Sequence, residues 1–363
     1  MKKRSIVIAS VLKPMDDTRM TEKMGMSLLK SGVWDVHIVG FGKVRPEVQG
    51  ISFHPLGIFS RLSLTRMFTP WRVLAKLFSI KPSAIIVTTH ELLWVAVISK
   101  LFFRTKVYYD VRENYKLNIL NTSAFPLLLR WPIGFYVRFK EWLFSGFIRH
   151  FLLAEKTYAH ELQFVGQRFT IVENKSVKAS NVNRKPVGET IHLLFSGTLD
   201  MSTGVFDAIE LAKKLHQENQ NIRLSVIGYA SLPDVQKKIK QEASHSFIKL
   251  IGINSLVPHK KILEAISQAD IGIIVYQSAP HTRNCIPTKL YEYLAHQLPI
   301  LYDGNASWAS MVSEHQGGIS INFTNPNAQA ILEALHSSRF HTQPPLNVTW
   351  ESEEEKLLML LGR

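Results

Sequence analysis

The sequence predicts an α/β protein made of two doubly wound parallel-sheet domains. Three observations lead there. Short apolar runs alternate with amphipathic helical stretches along most of the 363 residues. Apolar strands alternating with helices imply parallel sheets covered on both faces. The alternation breaks once, in the polar, aperiodic segment 174–190, which reads as a linker. The charge changes at the same place. Residues 1–190 hold 29 Lys/Arg and 13 Asp/Glu, whereas residues 191–363 hold 14 and 16. The expected boundaries are a domain over 1–175, a linker over 176–190, a second domain over 191–345 and a terminal segment over 346–363.

Ser5–Ser10 is the first expected strand. The basic start followed by an apolar run imitates a secretion signal, but the run is short and Lys13, Asp16 and Asp17 follow at once. Further strands are expected at 35–40, 84–89, 106–110, 151–154 and 170–173. A second series is expected at 191–196, 222–228, 248–252, 271–275, 299–301 and 318–321. Helices are expected over Asp207–Gln217, Asp234–Ala243 and Lys260–Gln268, with a short amphipathic one over Trp350–Leu361. Ligands are expected at strand C-terminal ends and in a cleft between the two domains.

The single cysteine, Cys285, permits no intrachain disulfide, which fits a reducing compartment. No run approaches the roughly 20 apolar residues of a membrane span. The basic first half points to an anionic partner. A membrane surface is favoured over nucleic acid, which is not expected as a partner. Leu127 to Phe151 interleaves Trp131, Trp142 and other large apolar residues with Arg130, Arg138, Lys140 and Arg149. Phe59–Phe78, with Arg61, Arg66, Arg72 and Lys76, has the same character. Both suit an interfacial helix; a buried helix with a basic rim is the alternative.

The stretch Asn284 to Pro299, N-C-I-P-T-K-L-Y-E-Y-L-A-H-Q-L-P, carries the most chemistry. Pro287 opens a helix that bears Lys289 and Glu292, three residues apart on one face. A helix N-terminus with a cation suits a phosphate, and a carboxylate one turn on suits a sugar diol. Arg283 adds a second cation. The bland reading is a solvated face with an ion pair. Ser196-Gly197-Thr198-Leu199 follows an apolar strand, and its glycine allows close approach of backbone to a ligand. Gly228-Tyr229 ends another strand. In the first half, Lys13-Pro-Met-Asp-Asp-Thr-Arg19 follows the first strand, and Thr88-Thr-His-Glu91 and Tyr109-Asp-Val-Arg-Glu-Asn-Tyr115 follow two others. These place Asp17, Arg19, His90, Asp110, Arg112 and Glu113 at strand ends. His90 and Glu91 capping the next helix, and a structural Asp110–Arg112 ion pair, are the competing readings. No G-x-G-x-x-G loop, Walker loop, zinc cluster, Gly-x-Ser-x-Gly elbow or convincing Asp-x-Asp occurs.

These motifs resemble those of bacterial GT-B-fold glycosyltransferases, specifically glycosyltransferase family 4 with its group-1 C-terminal domain. The likeness is densest in F-S-G-T-L-D…G-V-F-D-A-I-E-L-A (Phe195–Ala212) and I-P-T-K-L-Y-E-Y-L-A (Ile286–Ala295). The first-half loops look like those of a capsule or lipopolysaccharide subgroup, and the Trp350 helix like one that packs back on the first domain. The resemblance implies two Rossmann-like domains and retaining, metal-independent transfer of a sugar from a UDP- or GDP-sugar to a glycan or lipid-linked acceptor. No cofactor is implied beyond the nucleotide-sugar co-substrate. Glu292 matches the second carboxylate of the family's E-x7-E motif, on the ribose. Lys289, with the N–H groups of Thr288 to Leu290, would face the diphosphate, and Gly197 and Thr198 would approach it from the opposite loop. Asn284 would meet the donor sugar; Tyr229, read from its place after Gly228 alone, either stacks on a base or is an ordinary core or surface tyrosine. Lys289, Arg283, Arg112 and Glu113 stand as catalytic candidates, and Asp17, Arg19, His90 and Asp110 as acceptor-side ones.

Three departures stand out. Asn284 replaces the first glutamate of E-x7-E. Ser202-Thr203 replaces the basic residue before Gly204, so Arg283, Lys289 or Arg19 would have to supply its charge. Arg112 replaces a histidine and cannot act as a base near neutral pH. A nucleotide-sugar epimerase or phosphorylase of the same architecture, and a catalytically degenerate binding subunit, are the rival functions.

Overall fold

A computed structural model describes residues 3–43, 46–59, 63–122, 125–179, 182, 184, 186–277, 279–280 and 282–362. Arg61 and part of the polar 174–190 segment lie outside these residues. The chain divides into two compact units, Met1–Asn174 with Trp350–Arg363, and Lys175–Thr349.

The first unit is built on a seven-stranded sheet. Its strands are β1 (Arg4–Pro14), β2 (Trp34–Phe41), β3 (Ile51–Pro55), β4 (Ala84–Val87), β5 (Lys106–Val111), β6 (His150–Leu153) and β7 (Phe169–Ile171). The order is β3-β2-β1-β4-β5-β6-β7, and every neighbouring pair is parallel. Successive side chains of a strand point to opposite faces, so β1 feeds two cores. Val7, Ala9 and Val11 pack with Val73, Leu77, Leu93 and Val137 of the helices Leu64–Ile80, Leu93–Phe103 and Leu127–Ser145. Ile6 and Ile8 face the other way, toward Met20, Met24, Trp350, Leu357 and Leu361. That second layer holds a wide helical turn, Arg19–Gly25, and the terminal helix Glu351–Gly362. Trp350 Nε1 donates to Ser27 Oγ at 2.9 Å and fixes the start of that helix.

β3 is absent from the sequence reading. It is five residues long, lies at the sheet edge and buries only Ile51 and Phe53 fully. Its alternating run, Ile51-Ser-Phe53-His, is only four residues long before Pro55, too short to stand out in sequence.

The second unit holds a six-stranded parallel sheet. Its strands are β8 (Ile191–Thr198), β9 (Ile222–Tyr229), β10 (Ile248–Ile253), β11 (Ile271–Ile274), β12 (Ile300–Tyr302) and β13 (Gly318–Ser320). The order is β10-β9-β8-β11-β12-β13. Helix Val205–Glu218 packs on one face, and helix Thr288–Ala295 on the other. Within the polar 174–190 segment, Arg184 donates to the carbonyls of Ile266, Ala269 and His296. A guanidinium there neutralises two helix C-termini. Chain direction around the sheet reverses between β8 and β11, and such a switch point opens a crevice at strand C-terminal ends.

Candidate functional site

The crevice of the second unit has a backbone floor. Gly197, Gly228 and Gly252 end three adjacent strands and lie in register across them. A Cβ on Gly228 would sit 1.8 Å from the Gly197 carbonyl oxygen, and one on Gly252 would sit 2.4 Å from that of Gly228. Only glycine fits this packing, and Gly197 also has φ 104°. Thr198 and Tyr229 follow the first two glycines and pair across β8 and β9.

Helix Thr288–Ala295 stands beside this floor. Pro287 is extended and sits just before the helix, not as its first residue, and its carbonyl accepts from Leu290 N at 2.9 Å. Leu290 is a core residue with its N–H already used. It is therefore unavailable to a phosphate, and Thr288 and Lys289 are what the start of the helix presents.

Lys289 and Glu292 differ most from the bland reading. Both are buried, at 6% and 7% exposure, so no solvated face exists. Glu292 Oε1 lies 3.0 Å from His259 Nε2. Lys289 Nζ has no hydrogen-bond partner among the described residues. It stands 3.9 Å above the Phe195 ring and 5.4 Å from that of Tyr276. Its Cε lies 3.9 Å from where a Gly197 Cβ would be. Burial drives the Lys289 pKa down to about 7, against the pull of the Glu292 carboxylate. The structure thus gathers Gly197, Lys289 and Glu292 and holds an uncompensated ammonium at the strand ends.

His259, Phe195 and Tyr276 were not legible as site residues. His259 opens helix His259–Gln268, 33 positions before Glu292, and a lone histidine after a proline carries no spacing signal.

Ser202 and Thr203, where a cation is expected, form a closed turn. Ser202 donates to Asp200 Oδ1, and Thr203 Oγ1 donates to the Thr198 carbonyl. Arg283 and Asn284 lie exposed in the loop before the helix. That loop is tied down by Asn305 Nδ2 donating to the Arg283 carbonyl at 3.0 Å and Trp308 Nε1 donating to that of Cys285 at 2.8 Å. Beyond Tyr276 lies a cavity of about 560 Å³, lined also by Asp207, Asp303, Asn322 and Phe323. Burial pushes the carboxyl pKa values of Asp207 and Asp303 up.

In the first unit, the acceptor-side candidates fall into two groups. Arg19 makes a forked contact with Asp110, Nε–Oδ2 3.0 Å and Nη2–Oδ1 2.7 Å, and also donates to the Val172 carbonyl. Arg112 donates to Asp110 at 2.9 Å and to Asp17 at 2.8 Å. Asp110 is fully buried and Arg19 is 2% exposed. Burial pushes the Asp110 and Asp17 carboxyls up, but the guanidiniums outweigh it and hold both below their ordinary values. The structural ion-pair reading is the one this geometry fits, extended to four residues. Arg19 has no charge left to replace the missing phosphate cation, and Arg112 is committed to two carboxylates.

Of the other two candidates, Glu113 is open and His90 largely enclosed. Glu113 is 38% exposed, accepts from Asn118 at 2.9 Å and lies 3.6 Å from Lys13 Nζ. His90 packs edge-on against Tyr115 at 4.9 Å. Burial lowers its pKa to about 4, so it is a neutral ring at pH 7. No side-chain bond caps the turn His90–Leu92; Glu91 pairs instead with Arg66.

Among the described residues no group of three His, Cys, Asp or Glu is arranged to hold a metal, and no helix is long and apolar enough to cross a membrane.

Residues 178–343 match the family model for glycosyl transferases group 1. No curated protein matches the sequence. Solved structures match over nearly the whole chain. Anabaena HepE in complex with UDP and glucose has a TM-score of 0.66 at 12% identity, over 99% of both chains. Sucrose-phosphate synthase from Thermosynechococcus elongatus has 0.71 at 12%, over 99% of this chain and 98% of that one. The UDP-forming α,α-trehalose-phosphate synthase from Burkholderia vietnamiensis has 0.65 at 12%, over 99% and 100%. At such identity the likeness is one of fold. The second unit therefore carries a glycosyl transferases group 1 domain, and the chain has the GT-B fold of these structures.

Proposed function

We propose that the chain is a retaining, metal-independent hexosyltransferase. In this reading it moves a sugar from a UDP- or GDP-sugar to a membrane-associated glycan or lipid-linked acceptor. It would work peripherally, on the inner face of a bacterial cytoplasmic membrane, in capsule or lipopolysaccharide synthesis. One observation carries the proposal: Lys289 is a buried cation without a partner, set beside Gly197 and one helical turn from Glu292. An unpaired buried ammonium is costly unless a ligand compensates it. A diphosphate does so, and Glu292 then accepts from the ribose diol. The complex of HepE with UDP and glucose and the UDP-forming synthase support UDP as the nucleotide.

The chemistry follows from that placement. The bond from the anomeric carbon to the diphosphate oxygen breaks, and charge grows on the leaving phosphate. Lys289 and the start of helix Thr288–Ala295 stabilise it, a fixed electrostatic role that needs no reorganisation. The acceptor hydroxyl attacks on the same face, and its proton passes to the leaving phosphate. The cavity beyond Tyr276, with Asp207, Asp303 and Asn322, offers hydrogen-bond acceptors to sugar hydroxyls.

Titration calorimetry with UDP and GDP tests the nucleotide end. The expected result is UDP binding that weakens at least tenfold in Glu292→Ala. Failure of the wild type to bind either nucleotide would overturn the proposal in favour of a binding subunit. Turnover of a nucleotide-sugar with the sugar left on the nucleotide would favour an epimerase.

A further inference from the structure

The first unit carries an apolar surface that its own fold leaves uncovered. Helices Leu64–Ile80, Leu93–Phe103 and Leu127–Ser145 lie side by side on one face of its sheet. Trp71 meets Trp94 at 4.8 Å, and Phe78 meets Phe102 at 5.5 Å, joining the first two. Lys100 Nζ donates to the Phe147 carbonyl at 2.7 Å, joining the second to the end of the third. Twenty-three large apolar side chains are exposed among the described residues, and sixteen belong to these helices or to Phe147. Leu128 is 89% exposed, Met67 70%, Phe102 68% and Trp131 62%. An exposed apolar patch of this kind marks an interaction site.

The charge on the same helices selects the partner. Their sequences hold seven Lys/Arg and one carboxylate, Glu141. Glu141 is turned inward, 2% exposed, and accepts from Tyr109 OH at 2.9 Å. The outer face therefore offers cations and aromatic rings with no anion of its own. Two copies meeting through it would set cation against cation. Apolar and aromatic side chains framed by Lys and Arg match the interface of an anionic bilayer.

We infer that these three helices form one platform that seats the first unit on an anionic lipid bilayer. The inference rests on the reading that the acceptor is membrane-associated. It extends the docking surface from the two stretches expected from sequence to three helices, adding Leu101 and Phe102 of Leu93–Phe103.

Co-sedimentation with vesicles tests it without donor or acceptor. The full-length protein should bind vesicles of 30% phosphatidylglycerol in phosphatidylcholine and bind pure phosphatidylcholine at least tenfold more weakly. Phe68→Ser with Phe102→Ser, both away from the Trp131 helix, should lower binding about tenfold. Lys76→Gln with Arg104→Gln should lower it by roughly fivefold per charge and flatten its salt dependence. UDP binding measured on each variant reports folding separately from lipid binding. Equal binding to neutral and anionic vesicles would overturn the inference. So would unchanged vesicle binding by the Phe68/Phe102 variant, or a wild-type dimer that this variant dissociates. A protein that binds vesicles but not UDP would sink the transferase site and leave the platform standing.

Discussion

Lys289→Met separates stability from function at a single atom. Methionine keeps the apolar stem and removes the ammonium above Phe195. In the wild type, burial drops the lysine pKa from 10.5 to about 7. At 1.36 kcal/mol per unit this corresponds to an upper bound of about 5 kcal/mol of destabilisation at neutral pH. The folded value lies below the unfolded one, so the unfolded chain holds more protons between pH 7 and 10.5. Wild-type stability without ligand should therefore rise with pH through that window. The variant should lose this slope and be more stable at pH 7 by roughly 2 kcal/mol, since the volume is nearly conserved. UDP affinity should move the opposite way, falling about 10- to 100-fold with the loss of a charge-assisted contact. Binding of UDP to wild type at pH 7 should take up about half a proton, because about half of the lysines are then neutral. Urea unfolding at pH 7 and pH 9, with calorimetry in buffers of different ionisation enthalpy, reads all three. A wild type that takes up no proton, together with unchanged UDP affinity in Lys289→Met, would refute the placement of the diphosphate at this lysine.

Substitutions at two other residues probe one contact in each unit. His259→Ala strips Glu292 of its 3.0 Å partner, and should raise the donor KM about tenfold with a smaller change in kcat, whereas His259→Gln should recover most of the loss; equal effects on both variants would argue against an orienting role. Arg112→Gln breaks a buried pair, which costs about 3–5 kcal/mol, and should lower the urea midpoint of the first unit at pH 7. The network's carboxyls are held below their ordinary values, so its contribution is present above about pH 4 and fades as pH falls below it, and the gap between variant and wild type should narrow in acid. A variant of normal stability but no activity would return Arg112 to the catalytic group.

Several features of the fold were legible because they depend on local pattern. Apolar strands, strand-end glycines and a helix beginning after Pro287 are written in contiguous residues. β3 escaped because its alternation, Ile51-Ser-Phe53-His, runs over only four residues before Pro55. In the site, Gly197, Lys289 and Glu292 were found as separate motifs, and the fold brought them together. Their environment was not legible. The i,i+3 spacing suggested a solvated ion pair, whereas Phe195, Tyr276 and His259 come from three other elements and bury both groups apart.

The acceptor side shows the same division. Asp110 and Arg112 sit two residues apart, and a structural pair was readable from that. Arg19 lies 91 positions from Asp110, and only the parallel arrangement of β1, β4 and β5 lets them meet. Sequence alone determined the alternation of strands and helices, the basic first half and the aromatic helices, since each follows from composition and periodicity. Tertiary structure decided which charges are consumed and which stay open. Arg19 and Arg112 found carboxylates across the sheet, while Lys289 was enclosed with an aromatic ring and no anion within hydrogen-bond reach. Burial and pairing depend on residues distant in the chain, and so does the single cation left for a phosphate among the buried ones described at these sites.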